Sequence, residues 1–158
     1  MFARTLSVVQ PLVLLLARLA IGAIFIAHGW QKVTHGIGGT AKGFRELGVP
    51  LPELSALAAI VIELGGGIAL VLGALLPLAG TFLALQMFGA FWFVHRGNGL
   101  WANEGGYEYV LALGAAALAI GFTGGGALAV DGLLARYRDR HRARTADAEG
   151  ADAGTSRV

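Results

Sequence analysis

Long apolar runs broken at a few points set the pattern of this chain. A helix that crosses a bilayer takes about 20 mostly apolar residues. Residues 8–27 supply that length with Arg18 as their one charge. Residues 54–95 form a 42-residue stretch with one charge, Glu63, before His95 closes it. That is too long for a single span, and Gly73 and Pro77 punctuate it near the middle. The pattern predicts two helices joined by a tight apolar turn. A fourth apolar segment starts at Tyr107 and must run to about Gly124 to cross. The expected fold is all-α: a polytopic membrane domain over residues 1–135, with four spans at about 8–30, 54–73, 78–95 and 106–124. Short interfacial helices are expected near 42–48 and 127–138, and residues 136–158 read as a basic and then disordered tail. The first segment reads as a retained helix rather than a signal peptide. It is longer than a usual signal core, carries an arginine inside it, and has no Ala-x-Ala-like site after it.

Composition sharpens this picture. The chain is 56% hydrophobic and 14% charged, against about 25% charge in an ordinary soluble domain. Residues 1–135 hold six Lys/Arg and six Asp/Glu, and residues 136–158 hold six and four, so the net charge of +2 comes from the tail. A nucleic-acid-binding domain, a disordered chain and a soluble globule are poor fits. The absence of cysteine excludes disulfides, thiolate metal sites and cysteine nucleophiles. An even number of spans places both termini on one side. That side holds Arg4 and the run Arg136, Arg138, Arg140, Arg142 and Arg144, and the opposite loops hold Lys32, Lys42, Arg45 and Arg96. The bias favours cytoplasmic termini in the cytoplasmic membrane, with the arginine run attracting anionic headgroups.

Ionisable residues inside a membrane are candidates for function because each is costly unless paired or wetted. At 100° per residue, Arg18, Ile21, Gly22, Phe25, His28, Gly29 and Lys32 share one arc of the first helix. On the second helix Glu63, Gly66, Gly67 and Leu70 share a narrow face. The glycines let a neighbouring helix approach closely. With the first helix ending near Trp30, Arg18 and Glu63 fall at similar depth, which predicts a contact between them. Such a pair can fix helix register or act on a ligand, a proton or a quinone. A second concentration lies at the outer end, where His28, His95, Glu104 and Glu108 meet Trp30, Trp92, Trp101, Tyr107 and Tyr109. The aromatics fit an interfacial belt. The histidines and carboxylates lack the His-x-x-His or Glu-x-x-His spacing of a metal centre, and a polar vestibule to a cavity is the alternative. On the third helix Phe88, Phe91, Trp92 and His95 share a face, which suits a quinone headgroup or ordinary packing.

Taken in order, these residues resemble the DoxX family of small four-helix membrane proteins. The resemblance rests on Arg18-Leu19-x-x-Gly22-x-x-Phe25-x-x-His28-Gly29-x-x-Lys32, on Phe44, Gly48 and Pro50, and on Glu63-Leu64-Gly65-Gly66. Gly73 with Pro77, Met87, His95 and Asp131 extend it over about residues 14–134. It implies a cytoplasmic-membrane protein associated with redox work, whose relatives include the membrane subunit of a thiosulfate:quinone oxidoreductase. It also implies Arg18, His28, Lys32, Glu63 and His95 as the working polar positions. The leading expectation is a membrane subunit of a redox assembly handling thiol or oxidative stress, binding quinone or a small anion between its helices. Without cysteine, any sulfur chemistry must use a substrate or a partner's thiol. The alternatives are a non-catalytic anchor that recruits soluble redox enzymes, and a small-molecule transporter or channel. A homo-oligomer is compatible with each.

Overall fold

The computed structural model describes the backbone over residues 2–155 and the side chains over residues 8–142. Among the described residues five α-helices follow one another: α1 (Phe2–Glu46), α2 (Pro52–Leu72), α3 (Leu76–Ala90), α4 (Glu108–Thr123) and α5 (Val130–Thr155). Among the described residues there is no strand. The stretches Val8–Glu46, Pro52–Leu72 and Leu76–Asn98 are long and apolar enough to cross a membrane. α4 is equally apolar but, at 16 residues, covers only about 24 Å.

The element ends depart from the sequence expectation in three places. α1 passes through Trp30 without a break and bends only at Gly36, whose φ of 74° and ψ of 158° are outside helical space and open chiefly to glycine. Residues 37–46 then form a longer second arm than the turn or two expected near 42–48. α3 is extended by a π-helical turn, Phe91–His95, and a 3-10 turn, Arg96–Asn98. α5 begins inside the expected 127–138 helix, and the tail read as disordered after Arg144 falls on residues whose side chains lie outside those described.

Helix packing follows the small residues. α1 lies antiparallel on α2 and α3 on α4, forming two hairpins. A Cβ added at Gly22 would come within 2.8 Å of the Gly67 carbonyl oxygen, and one at Gly67 within 2.9 Å of the Gly22 oxygen, so this crossing requires both glycines. Gly80 and Gly121 do the same for α3 and α4, where an added Cβ would meet the Ala117 and Leu76 carbonyls. Phe25, Leu70, Leu76, Leu83, Met87 and Leu113 fill the core between the hairpins. Leu12, Leu16, Val61, Leu72 and Phe122 face outward with more than half of their surface exposed. So much apolar exterior is untenable in water and ordinary in lipid.

The end of the bundle at the α2–α3 turn is closed by backbone hydrogen bonds. Gly73, in the left-handed region at φ 69°, ends α2 with paired bonds from Gly73 N–H to the Leu70 oxygen and Ala74 N–H to the Ala69 oxygen. Leu75 is also left-handed at φ 51°, a conformation that costs a non-glycine residue about 1–2 kcal/mol. The Asp131 carboxylate offsets that cost by accepting Leu75 N–H at 2.9 Å and Leu76 N–H at 3.0 Å, which caps α3. Asp131 N–H in turn donates to the Gly73 oxygen, and Ala127 N–H donates to the Pro11 oxygen.

Candidate functional site

At the opposite end the two hairpins part around a cavity of about 720 Å³. α1 contributes Phe25, His28 and Lys32 at helical spacing, and its second arm folds over so that Phe44 and Leu47 cover the space. α2 brings Ser55 and Glu63, α3 brings Phe82, Gln86 and His95, and α4 brings Tyr109. Most of the remaining wall is apolar.

The central polar contact is an ion pair, Lys32 Nζ to Glu63 Oε2 at 2.6 Å, with the lysine side chain 21% exposed and the glutamate 3%. A short charge-assisted bond of this kind is among the stronger ones available. An ammonium has three N–H groups, so Lys32 can address a second acceptor while holding Glu63. Glu63 therefore does not meet Arg18, as helix depth suggested. Gly22 packs at the level of Gly67 and Val71, and Gly29 at the level of Leu64, so Glu63 lies opposite the stretch near Lys32. Arg18 is fourteen residues back along α1, or about 21 Å. The error traces to the end of α1: Trp30 interrupts nothing, and the helix continues to Gly36.

Arg18 belongs to the closed end. It is 1% exposed, and its Nη1 donates to the Gly125 carbonyl at 2.5 Å and lies against Gly73. Its Nε has no hydrogen-bond partner. Among the described residues no carboxylate pairs with it. The compensating charge is the partial negative end of α2, which terminates at Gly73, together with the carbonyls following α4.

His95 reaches the cavity by way of the π turn. The cavity face of α3 runs Phe82, Leu85, Gln86, Gly89, Ala90 and Phe93 at helical spacing. In an unbroken α-helix His95 would lie on the opposite side, with Phe88 and Trp92. A π turn accommodates an extra residue and sets back the residues after it by roughly 100°. That offset parts His95 from the aromatic face with which the sequence grouped it. Phe88, Phe91 and Trp92 are not among the cavity-lining residues. Phe88 and Trp92 are 60% and 45% exposed, and Arg96 stacks on the Trp92 ring at 4.2 Å. Phe91 packs edge-on against Tyr107. Exposed aromatics beside an arginine suit the lipid–water boundary.

The protonation pattern of His95 follows from its partner. Nδ1 lies 2.7 Å from the Gly105 carbonyl oxygen, and a carbonyl only accepts, so Nδ1 carries the hydrogen. In the neutral ring Nε2 is then an acceptor. His28 sits with its ring 6.2 Å from that of Tyr109, at the mouth of the same cavity. Glu108 is turned away, accepting Ala102 N–H at 2.8 Å. Among the described residues no three His, Asp or Glu side chains converge as a metal site would require.

Four of the five polar positions picked out in the sequence, His28, Lys32, Glu63 and His95, thus line one cavity, and Arg18 lies elsewhere. Ser55, Gln86 and Tyr109 complete the polar set. Gln86 is the sole side-chain amide within α2, α3 and α4, and it carries no charge to mark it.

The comparisons with known proteins agree with this architecture. The chain is 33% identical over 127 residues to the inner membrane protein YphA of Escherichia coli strain K12, covering 77% of this chain and 90% of that one. It is 33% identical over 121 residues to the inner membrane protein YqjF of the same organism, covering 76% and 90%. An uncharacterized protein of Haemophilus influenzae is 31% identical over 125 residues, covering 77% and 90%. No solved structure gives a significant match. The DoxX family pattern matches residues 13–96, which contain α1 from Val13 onward, α2, α3 and the π turn carrying His95. On that match and those relatives, this protein belongs to the DoxX family.

Proposed function

We propose that this DoxX protein is the membrane component of a redox assembly and that its cavity binds a quinone-type ligand, with both termini in the cytoplasm. The observation that carries the proposal is the cavity itself: a largely apolar chamber whose wall also carries the Lys32–Glu63 pair, Gln86 and His95. The charge balance selects among ligands. Lys32 is neutralised by Glu63, and Arg18 is held at the far end of the bundle. A free anion such as thiosulfate would find no uncompensated cation here. A neutral ring with oxygen substituents finds donors in Lys32 and Gln86 and an acceptor in His95 Nε2.

A bound quinone supplies the two-electron, two-proton chemistry that no side chain of a cysteine-free protein can supply. The chain's own contribution is to hold protons near the ring oxygens. Glu63, released from Lys32, accepts a proton; His95 Nε2 accepts one from a hydroxyl while Gly105 keeps the ring oriented. Phe44 and Leu47 limit access of water from above. The arginine-rich start of α5 offers a surface for anionic headgroups or soluble redox partners. The test is titration of the detergent-purified protein with a decyl-substituted benzoquinone. Saturable binding that weakens at least tenfold in Lys32→Met, with binding of the corresponding quinol weakened at least tenfold in His95→Asn, supports the proposal. Binding that is absent, or indifferent to both substitutions, overturns it.

A further inference from the structure

A second, wholly apolar hollow of about 340 Å³ lies between α2 and α3, and it shares Ile62 and Phe82 with the cavity wall. Its small-residue sides are Gly65, Gly66 and Ala69 on α2 and Ala79 on α3. Phe82 is 46% exposed, so this shared wall is open on the outer surface of the bundle. The groove continues from Ile62 toward Gly73, away from the polar end, along about 10–12 Å of helix. An apolar groove that runs on from the polar chamber, from the middle of α2 to the turn before α3, gives a hydrocarbon chain a place directly beside the head.

We infer that the ligand of the cavity carries a hydrocarbon tail, that the tail lies in the α2–α3 groove, and that the head enters sideways from the bilayer between Ile62 and Phe82. This rests on the assignment of the cavity as a ligand site and narrows the ligand to a lipid-borne one. A soluble molecule needs no groove, and it would enter past His28 and Phe44 from the aqueous side.

Gly65 makes the inference testable without disturbing the fold. A Cβ built there meets no atom within 4 Å, whereas one at the adjacent Gly66 would collide with Leu83. Gly65→Leu therefore fills the groove and leaves the core untouched. Leu78→Trp, at a position 54% exposed on the α3 wall, fills it from the other side. The probes are one benzoquinone ring with a decyl tail and the same ring with none, compared between variants at a fixed detergent concentration so that micelle partitioning cancels. Both variants are expected to keep the wild-type melting temperature and to weaken the tailed probe at least tenfold, with the tail-less probe unchanged within twofold. A tailed probe that binds both variants as it binds wild type overturns the groove assignment alone. Failure of both probes to bind wild-type protein overturns the cavity assignment and the groove with it.

Discussion

Lys32 on α1 and Glu63 on α2 meet at 2.6 Å inside a largely apolar chamber and tie the two helices of the first hairpin together. Removing one partner leaves a charge with nothing to compensate it. Lys32→Met alone should destabilise the protein by roughly 3 kcal/mol. The double variant with Glu63→Leu should recover part of that loss, giving a coupling of at least about 1 kcal/mol. Unfolding in detergent measures the cycle. The corresponding cycle between Arg18 and Glu63 should be additive within about 0.5 kcal/mol, since the two side chains are at opposite ends of the bundle.

Arg18 is a structural residue of the closed end, and its loss should be felt in stability before binding. Arg18→Leu leaves the Gly125 carbonyl without its donor, at a cost of about 1–3 kcal/mol. The melting temperature in detergent should fall, while the folded fraction binds the decyl-substituted ring within twofold of wild type. A large loss of affinity with an unchanged melting temperature would place Arg18 back in the ligand site.

The tautomer of His95 is fixed by Gly105, so the two ring nitrogens can be separated by substitution. Asparagine keeps a donor near the Nδ1 position and has nothing at Nε2. His95→Asn should hold stability within about 1 kcal/mol, the worth of a typical hydrogen bond, and lose ligand affinity. His95→Leu should lose both. Nitrogen-15 chemical shifts of the neutral wild-type ring should report a protonated Nδ1 and a bare Nε2.

How far could the sequence alone reach these residues? Helical phase was enough for the face of α1 that carries Phe25, His28 and Lys32, and for placing Gly22 and Gly67 on faces that a neighbouring helix can approach. Those relations depend only on spacing along one helix. The partner of Glu63 depends on where two helices end, and that turned on Gly36, a backbone conformation with no side-chain signature. His95 was grouped with Phe88 and Trp92 because the π turn leaves no mark in the apolar pattern. The cap that Asp131 gives α3 spans 56 residues of sequence, beyond the reach of any local rule.

The Gly22–Gly67 crossing tolerates no side chain at either position. Gly67→Val should cost about 1–3 kcal/mol by forcing the helices apart. A change of the same kind at Gly65, where an added Cβ meets nothing, should be nearly neutral. Melting temperatures of the two variants, compared side by side, check the contrast.

The cap on α3 also orders the events of synthesis. Leu75 and Leu76 leave the ribosome well before Asp131, 56 and 55 residues downstream. At about 5–20 residues per second the interval is roughly 3–11 s. For that time α3 must sit in the insertion machinery with its first turn unfinished. The bundle locks only when the chain after α4 folds back on the Gly73 turn. A chain that ends before residue 131 would thus carry α1 to α4 without the cap that ties the second hairpin to the Gly73 turn.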